Sequence, residues 1–251
     1  MPQTVFRRQE FKYLITHAQK EKLLSLMDKY IVPDEYGRST VCSIYYDTPT
    51  SMLIRRSIES PIYKEKLRVR SYGRVNKDDT VYVEIKKKFK HIVYKRRVGI
   101  PLGSAERWLS GDVIERAENI KPRTAQIMNE IDFFISRYSP LEPAMFISAE
   151  REAFYAANDR EFRITFDENI LSRSTELSLS SDIYGTPILP DGMVLMELKS
   201  GTSLPLPICH ALCDEGIFKT KFSKYGTAYK NALAEKYITG DTDNEFIQGI
   251  V

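Results

Sequence analysis

The 251-residue chain carries 37 Lys and Arg against 34 Asp and Glu, a net charge of only +3, with 42% hydrophobic and 28% charged residues. That composition suffices for a buried core and gives no general case for nucleic-acid binding, so the placement of the cations matters more than their number. No apolar run approaches the roughly 20 residues of a membrane span, the polar start Met1-Pro2-Gln3-Thr4 lacks a signal-peptide hydrophobic region, and the three cysteines form no CxxC pair, so a cytoplasmic protein is expected.

Residues 5–15 read as a first strand in which Glu10 and Lys12, two apart, share a face. Thr16 is placed to cap a helix whose apolar positions Leu23, Leu24, Leu26, Met27 and Tyr30 have helical spacing. A second strand covers 40–47, followed by a short helical turn from Pro49 through Arg56. Strands are expected at about 62–73, 80–88 and 91–100, with breaks at Asn76 to Asp79 and near Lys90. From Ser104 to Ser139 the pattern is helical, with Trp108, Leu109, Ile127, Met128, Ile131 and Phe134 as packing residues. Strands return at about 144–155, 161–171 and 192–199. Cys209, His210 and Cys213 lie in an apolar stretch that reads as a buried helix face rather than a metal site, and a last helix starts at a Ser223 cap. The acidic stretches at Asp28, Asp34-Glu35, Asp78-Asp79 and Asp241 to Glu245 read as solvated loops. No repeat or linker divides the chain, so one domain over 1–251 is expected, of α+β class and built on an antiparallel barrel.

Charge alternates along these strands. Lys64, Lys66, Arg68 and Arg70 share one face of their strand while Leu67 and Val69 occupy the other, and Glu84 and Lys86 alternate with Val83 and Ile85 in the same way. The same parity aims Glu10, Lys12, Lys95, Arg97, Arg151, Arg163, Glu197 and Lys199 to one side, with Arg8 as a further contributor. Any one such strand fits a solvated face; repetition over six or seven strands, with apolar residues at the alternate positions, points to a sheet curled around a charged interior. A dry interior would cost several kcal/mol for each unpaired ion, so water, interior carboxylates and an anionic ligand must offset the cations. Arg forks and Lys ammonium groups suit phosphate oxygens. The few carboxylates suit a Mg²⁺ or Mn²⁺ that also touches phosphate.

Nine segments then fall in register with a known family: Glu10-Phe11-Lys12-Tyr13, Ile44-Tyr45-Tyr46-Asp47-Thr48, Lys66 through Gly73, Val83-Glu84-Ile85-Lys86, Lys95-Arg96-Arg97, Glu150 through Phe154, Arg163 through Asp167, Met196-Glu197-Leu198-Lys199 and Lys221 through Tyr225. Over roughly residues 5–230 the chain resembles the VTC domain, the polyphosphate-polymerase branch of the triphosphate tunnel metalloenzymes, whose wider relatives include CYTH-type triphosphatases. The resemblance implies an eight-stranded antiparallel β-barrel, the triphosphate tunnel, with flanking helices and a C-terminal helix. It implies transfer of the terminal phosphate of ATP onto inorganic polyphosphate, with Mn²⁺ or Mg²⁺ as cofactor and no nucleic-acid partner. Carried onto this chain, Lys12, Arg68, Arg70, Lys86, Lys95, Arg151, Arg163 and Lys224 are the catalytic phosphate ligands, and Lys66, Arg97, Lys199 and Lys221 bind substrate. Glu197 is the metal ligand, with Glu10 as a second or water-mediated one.

Two departures bear on the reaction. Arg8 stands where CYTH triphosphatases have the first glutamate of Glu-x-Glu-x-Lys, which favours transfer over hydrolysis. The SPX domain and membrane helices of eukaryotic members are not found, which points to a stand-alone, bacterial-type member. No Walker A loop occurs, so side chains must grip the phosphates. The competing functions are hydrolysis of tripolyphosphate or nucleoside triphosphates, and a non-catalytic polyphosphate-binding module.

Overall fold

A computed structural model describes residues 9–90, 92–201 and 203–239. Strand β1 (Gln9–Thr16) runs directly into α1 (His17–Met27). Thr16 caps this helix as expected, its hydroxyl accepting from the Gln19 N–H while the Gln19 side chain accepts from the Thr16 N–H. Leu23 and Met27 face the core, but Leu26 and Tyr30 are each 49% exposed, so the apolar stripe is narrower than the spacing suggested. A short strand, β2 (Ile31–Pro33), precedes β3 (Ser39–Asp47). Helix α2 (Met52–Ile58) begins three residues after the expected Pro49, because the Asp47 carboxylate accepts from the Leu53 and Ile54 N–H groups and fixes the first turn there.

Strands β4 (Tyr63–Tyr72), β5 (Thr80–Phe89) and β6 (Ile92–Pro101) match their expected spans closely. The helical stretch that follows is two helices, α3 (Leu102–Leu109) and α4 (Pro122–Tyr138). Long strands β7 (Glu142–Ala156) and β8 (Asp159–Arg173), the two-residue β9 (Thr186–Pro187) and β10 (Met193–Ser200) complete the sheet. Helices α5 (Leu206–Asp214) and α6 (Lys224–Thr239) end the described chain, and Ser223 caps α6 by accepting from the Gly226 N–H at 3.2 Å. No helix among the described residues is long and apolar enough to cross a membrane.

The strands pair antiparallel in the order β1-β10-β8-β7-β3-β4-β5-β6, with β2 added to β7 and β9 to β8. This is the expected eight-stranded, tunnel-like α+β fold with two short additions. Its ring is curled but not sealed, since β1 and β6 are the two ends of the hydrogen-bonded order. The free edge of β1 is covered instead by a strap of residues 219–223. Tyr13 bridges Lys219, the Thr220 N–H donates to the Lys12 carbonyl at 2.8 Å, and Lys12 Nζ donates to the Phe222 carbonyl at 3.0 Å.

Three apolar clusters hold the sheet in place. On the outside, Leu67, Val69, Val83 and Ile85 pack with Trp108 of α3 and Ile131 and Phe134 of α4. Also outside, Tyr13, Ile164, Met196 and Leu198 pack with Leu23 and Met27 of α1 and Ile208, Ala211 and Leu212 of α5. Burying each large apolar side chain in this way contributes about 1.5–3 kcal/mol. On α5 the aliphatic residues make the buried face, whereas Cys213 is exposed and Cys209 half-buried, a correction to the expected placement of the cysteines. The third cluster is internal: Tyr45, Ile147, Ile170 and Leu195 meet Ile54 of α2 and Tyr225 and Ala228 of α6, plugging part of one end of the curled sheet. Ile170 joins that plug because β8 changes phase at Asn169, whose φ of 46° lies in the left-handed region where the β7–β8 register shifts.

Candidate functional site

The polar faces of the strands enclose a cavity of about 1810 Å³, lined by ten lysines and seven arginines against five carboxylates. Every described residue that the sequence assigned to the phosphate or metal site lines it. Strand alternation supplies Glu10, Lys12, Lys66, Arg68, Arg70, Lys86, Lys95, Arg97, Arg151, Arg163, Glu197 and Lys199, while the strap and α6 supply Lys221 and Lys224. Arg8 lies outside the described residues. Tyr13, Leu67, Val69, Val83 and Ile85 are all buried on the opposite face, as strand parity requires.

Buried carboxylates hold the cations in fixed positions. Glu84, only 1% exposed, accepts from Arg68 Nη2 at 2.7 Å and Nε at 2.8 Å, pairs with Lys95 Nζ at 2.6 Å, and lies 3.8 Å from Arg70 Nε. The register produces this grouping, because Glu84 stands directly opposite Arg68 on one neighbouring strand and Arg97 on the other. Burial alone would raise the Glu84 carboxyl, but Arg68, Arg70 and Lys95 hold it well below the usual carboxylate range. Burial also pushes the Lys95 ammonium down to about 7; Glu84 opposes this shift and the charges of Arg68 and Arg70 reinforce it.

Asp167, fully buried, takes the fork of Arg151 at 2.6 and 2.7 Å and Lys224 Nζ at 2.5 Å. Its burial would raise the carboxyl, yet Lys224 and then Arg151 bring it to about 2. Glu197 is ringed by Lys224 at 3.2 Å, Lys12 at 3.3 Å and Lys199 at 3.5 Å. Against the cost of burial, these three lysines hold it well below the usual range. Glu10 pairs with Lys86 at 3.3 Å and Lys12 at 3.6 Å, and despite burial stays at about 2 through Lys86 and Lys199.

Among the described residues, no group of three or more His, Cys, Asp or Glu side chains is gathered to hold a metal. The donor set therefore does not suit an all-protein cage. It does suit Mg²⁺ or Mn²⁺, which takes one or two carboxylates and completes its shell with substrate phosphate and water: Glu10 and Glu197 are both ionised and share Lys12 as a common neighbour.

Several residues here carry more weight than the sequence suggested. Asp34 was expected in a solvated loop, but β2 brings it to the rim of the cavity, where it is 7% exposed and accepts from Arg163 Nη2 at 2.9 Å. Asp167 shares the parity of Arg163 and Thr165, so the alternation that revealed the cations also pointed to it. Tyr45 accepts from Arg68 Nη1 at 2.9 Å and stacks on Tyr225 at 4.5 Å between ring centres. Burial would raise the Tyr45 phenol, but Arg68, Lys66 and Arg70 lower it to about 8. Tyr225 in turn donates to Asp47 at 3.0 Å, so the carboxylate that starts α2 also seats α6. Chemically, the site is a set of pre-oriented cations whose present partners are carboxylates, a setting in which anionic oxygens compete for the same donors.

Comparison with known proteins agrees with this architecture. A solved structure of a candidate adenylate cyclase from Bacillus halodurans superposes with a TM-score of 0.53 at 14% identity, covering 88% of this chain and 96% of that one. A candidate adenylyl cyclase from Hippeastrum, described as having a dominant triphosphatase activity, gives a TM-score of 0.53 at 12% identity, covering 88% of this chain and 95% of that one. At such identities the likeness is one of fold. No curated protein matches the sequence. The VTC domain model matches residues 7–233, a span that includes every strand of the tunnel and the strap that covers its open edge, and the chain therefore belongs to the VTC domain family.

Proposed function

We propose that this chain is a polyphosphate polymerase that transfers the terminal phosphate of ATP onto a growing inorganic polyphosphate chain within the tunnel. The observation that most directly supports this reading is the lining of ten lysines and seven arginines in a VTC-family domain, several of them pinned by buried carboxylates. Phosphoryl transfer asks little covalent chemistry of the protein; it needs in-line positioning and compensation of charge on the transferring oxygens. Arg68 and Arg70 through Glu84, and Arg151 through Asp167, are held in place before substrate arrives, so they need no reorganisation during reaction.

In the step itself, a terminal oxygen of polyphosphate forms a bond to the γ-phosphorus of ATP. The bond from that phosphorus to the β–γ bridging oxygen breaks, and ADP leaves with the electron pair. The attacking oxygen is already ionised near neutral pH, so no strong general base is needed. Lys12, Lys199 and Lys224, now paired with Glu197, exchange carboxylate for phosphate contacts as substrate enters. Mn²⁺ or Mg²⁺ bound by Glu197 with Glu10 would supply further charge neutralisation on the phosphate oxygens.

Hydrolysis of tripolyphosphate or nucleoside triphosphates is the second reading, favoured by the triphosphatase activity described for the Hippeastrum neighbour. The two separate on product. Purified protein with ATP and Mn²⁺ is expected to yield ADP and a long polyphosphate ladder on a gel, with little early free phosphate. Stoichiometric free phosphate without polymer selects the hydrolase, and tight ATP binding without turnover selects a binding module.

A further inference from the structure

Tyr45 and Tyr46 are neighbours on β3 and point to opposite sides of the sheet. Tyr46 joins the outer core, and Tyr45 lines the cavity. The Tyr45 ring belongs to the internal plug, clustered with Ile54, Ile147, Ile170 and Leu195 and stacked on Tyr225 of α6 with 22° between the ring planes. Its hydroxyl reaches Arg68, which stands directly opposite Tyr45 in the β3–β4 register. The residue is only 7% exposed, and its ring is held from behind, since Tyr225 is itself tied to Asp47.

The hydrogen bonds of this pair leave one position open. Arg68 gives Nε and Nη2 to Glu84 and Nη1 to Tyr45, so one lone pair of the phenol oxygen is already filled by an incoming donor. Among the described residues the phenol's own proton has no acceptor. A buried hydroxyl proton in that state calls for a partner. The charged groups that act most strongly on the oxygen are cations: Arg68, Lys66 and Arg70 from β4, with Lys12 of β1 also in range. The plug contributes apolar side chains and the Tyr225 phenol, which burial and Asp47 push up and keep protonated. A ligand drawn to those cations brings anionic oxygens to the same point and supplies the missing acceptor.

We propose that Tyr45 is a phosphate ligand of the tunnel, which keeps its bond from Arg68 and donates its own proton to a non-bridging oxygen of the bound phosphate chain. The inference rests on the phosphate-tunnel reading above and adds to it a residue that strand parity of charge did not assign. A phenol differs in kind from the surrounding lysines and arginines. It brings one directional donor and no charge, so it fixes the orientation of a phosphate group without adding to the general attraction for anions. It does this only while protonated. Burial would raise the Tyr45 phenol, but Arg68, Lys66 and Arg70 lower it to about 8. The free protein therefore loses this proton as pH rises through about 8, whereas the bound phosphate requires it.

Tyr45→Phe tests this, since it keeps the ring stacked on Tyr225 and removes only the hydroxyl. Binding of tripolyphosphate and of ATP is measured for both proteins at about pH 6.5 and about pH 9, either side of the phenol's titration. At the lower pH the variant is expected to bind both ligands about 10- to 100-fold more weakly, as loss of a hydrogen bond to a charged group does. At the higher pH the wild type must take up a proton to bind, so the deficit should shrink about tenfold. Lys66 and Lys95 titrate in both proteins and cancel in the ratio. The second measurement needs no variant affinity: at about pH 9 tripolyphosphate should remove the near-ultraviolet band of one tyrosinate from the wild type, and Tyr45→Phe should lack that change. Thermal midpoints check that the variant is folded. Wild-type affinity in the variant, a deficit equal at both pH values, or an unchanged tyrosinate band overturns the assignment. So does a deficit for ATP with none for tripolyphosphate, which would put the phenol on the nucleoside. A wild-type protein that fails to bind tripolyphosphate at either pH overturns the phosphate-tunnel reading itself, and the role of Tyr45 with it.

Discussion

Replacing Glu84 by Gln separates a structural counter-charge from a phosphate site. The substitution keeps the shape of the side chain and removes its charge, leaving Arg68, Arg70 and Lys95 around a neutral amide. Breaking a buried ion pair from one side costs about 3–5 kcal/mol. The lower end applies here, because Lys95, already at about 7, can shed its proton near neutral pH and relieve part of the repulsion. A loss of about 3 kcal/mol in a chain of this size lowers the thermal midpoint by about 6–12 °C. Tripolyphosphate should then stabilise Glu84→Gln more than the wild type at equal concentration, since the ligand supplies the missing negative charge and binds only the folded state. Thermal unfolding of both proteins with and without tripolyphosphate, at low fixed salt, reads this directly. An unchanged midpoint, or a smaller ligand-induced shift in the variant, would refute the role given to Glu84.

Glu197→Gln is expected to raise the Mn²⁺ or Mg²⁺ concentration needed for half-maximal turnover and to lower turnover at saturation; a metal titration showing full activity and an unchanged requirement would sink the assignment of Glu197 as a ligand. Lys95 at about 7 and Lys66 at about 8 lie below their ordinary values, so each loses its charge as pH rises through those values, and a bound polyanion raises both again. Tripolyphosphate binding should therefore take up protons above about pH 7 and weaken as pH rises from about 7 to 9; calorimetry in two buffers of different ionisation heat measures the uptake, and none in the wild type, or no reduction in Lys95→Met, rejects it.

Most of the site could be read from strand parity, because a period of two survives wherever a strand stays regular. The described strand residues expected to face inward on β1, β4, β5, β6, β7, β8 and β10, from Glu10 to Lys199, all line the cavity. Parity failed where regularity failed. The phase change at Asn169 puts Ile170 inside only three residues after Asp167, and no local composition signalled the turn. The plug at one end was equally hidden, since Tyr45 and Leu195 look like any core residues until α6 is laid against them. Asp34 was misread because a three-residue strand carries too little pattern to detect, and that strand, β2, is what turns a loop carboxylate into the partner of Arg163. The Pro49 helix start was misplaced for a similar reason, as the group that sets α2 is the side chain of Asp47, in the preceding strand.

The strap along β1 makes one wall of the tunnel depend on side chains of its own lining. A cylinder sealed by an unbroken ladder admits a long chain only through its ends, one free terminus first. Here the last stave of the wall is not a strand but residues 219–223, fastened to β1 by the Thr220–Lys12 backbone bond and the Lys12–Phe222 contact, and to β4 by Lys66 Nζ on Ser223 Oγ at 3.2 Å. Two of the four fastenings, counting the Tyr13–Lys219 bridge, are made by lysine ammonium groups that also line the cavity. A bound anion and this wall therefore share their donors, which an unbroken ladder of backbone hydrogen bonds would not allow.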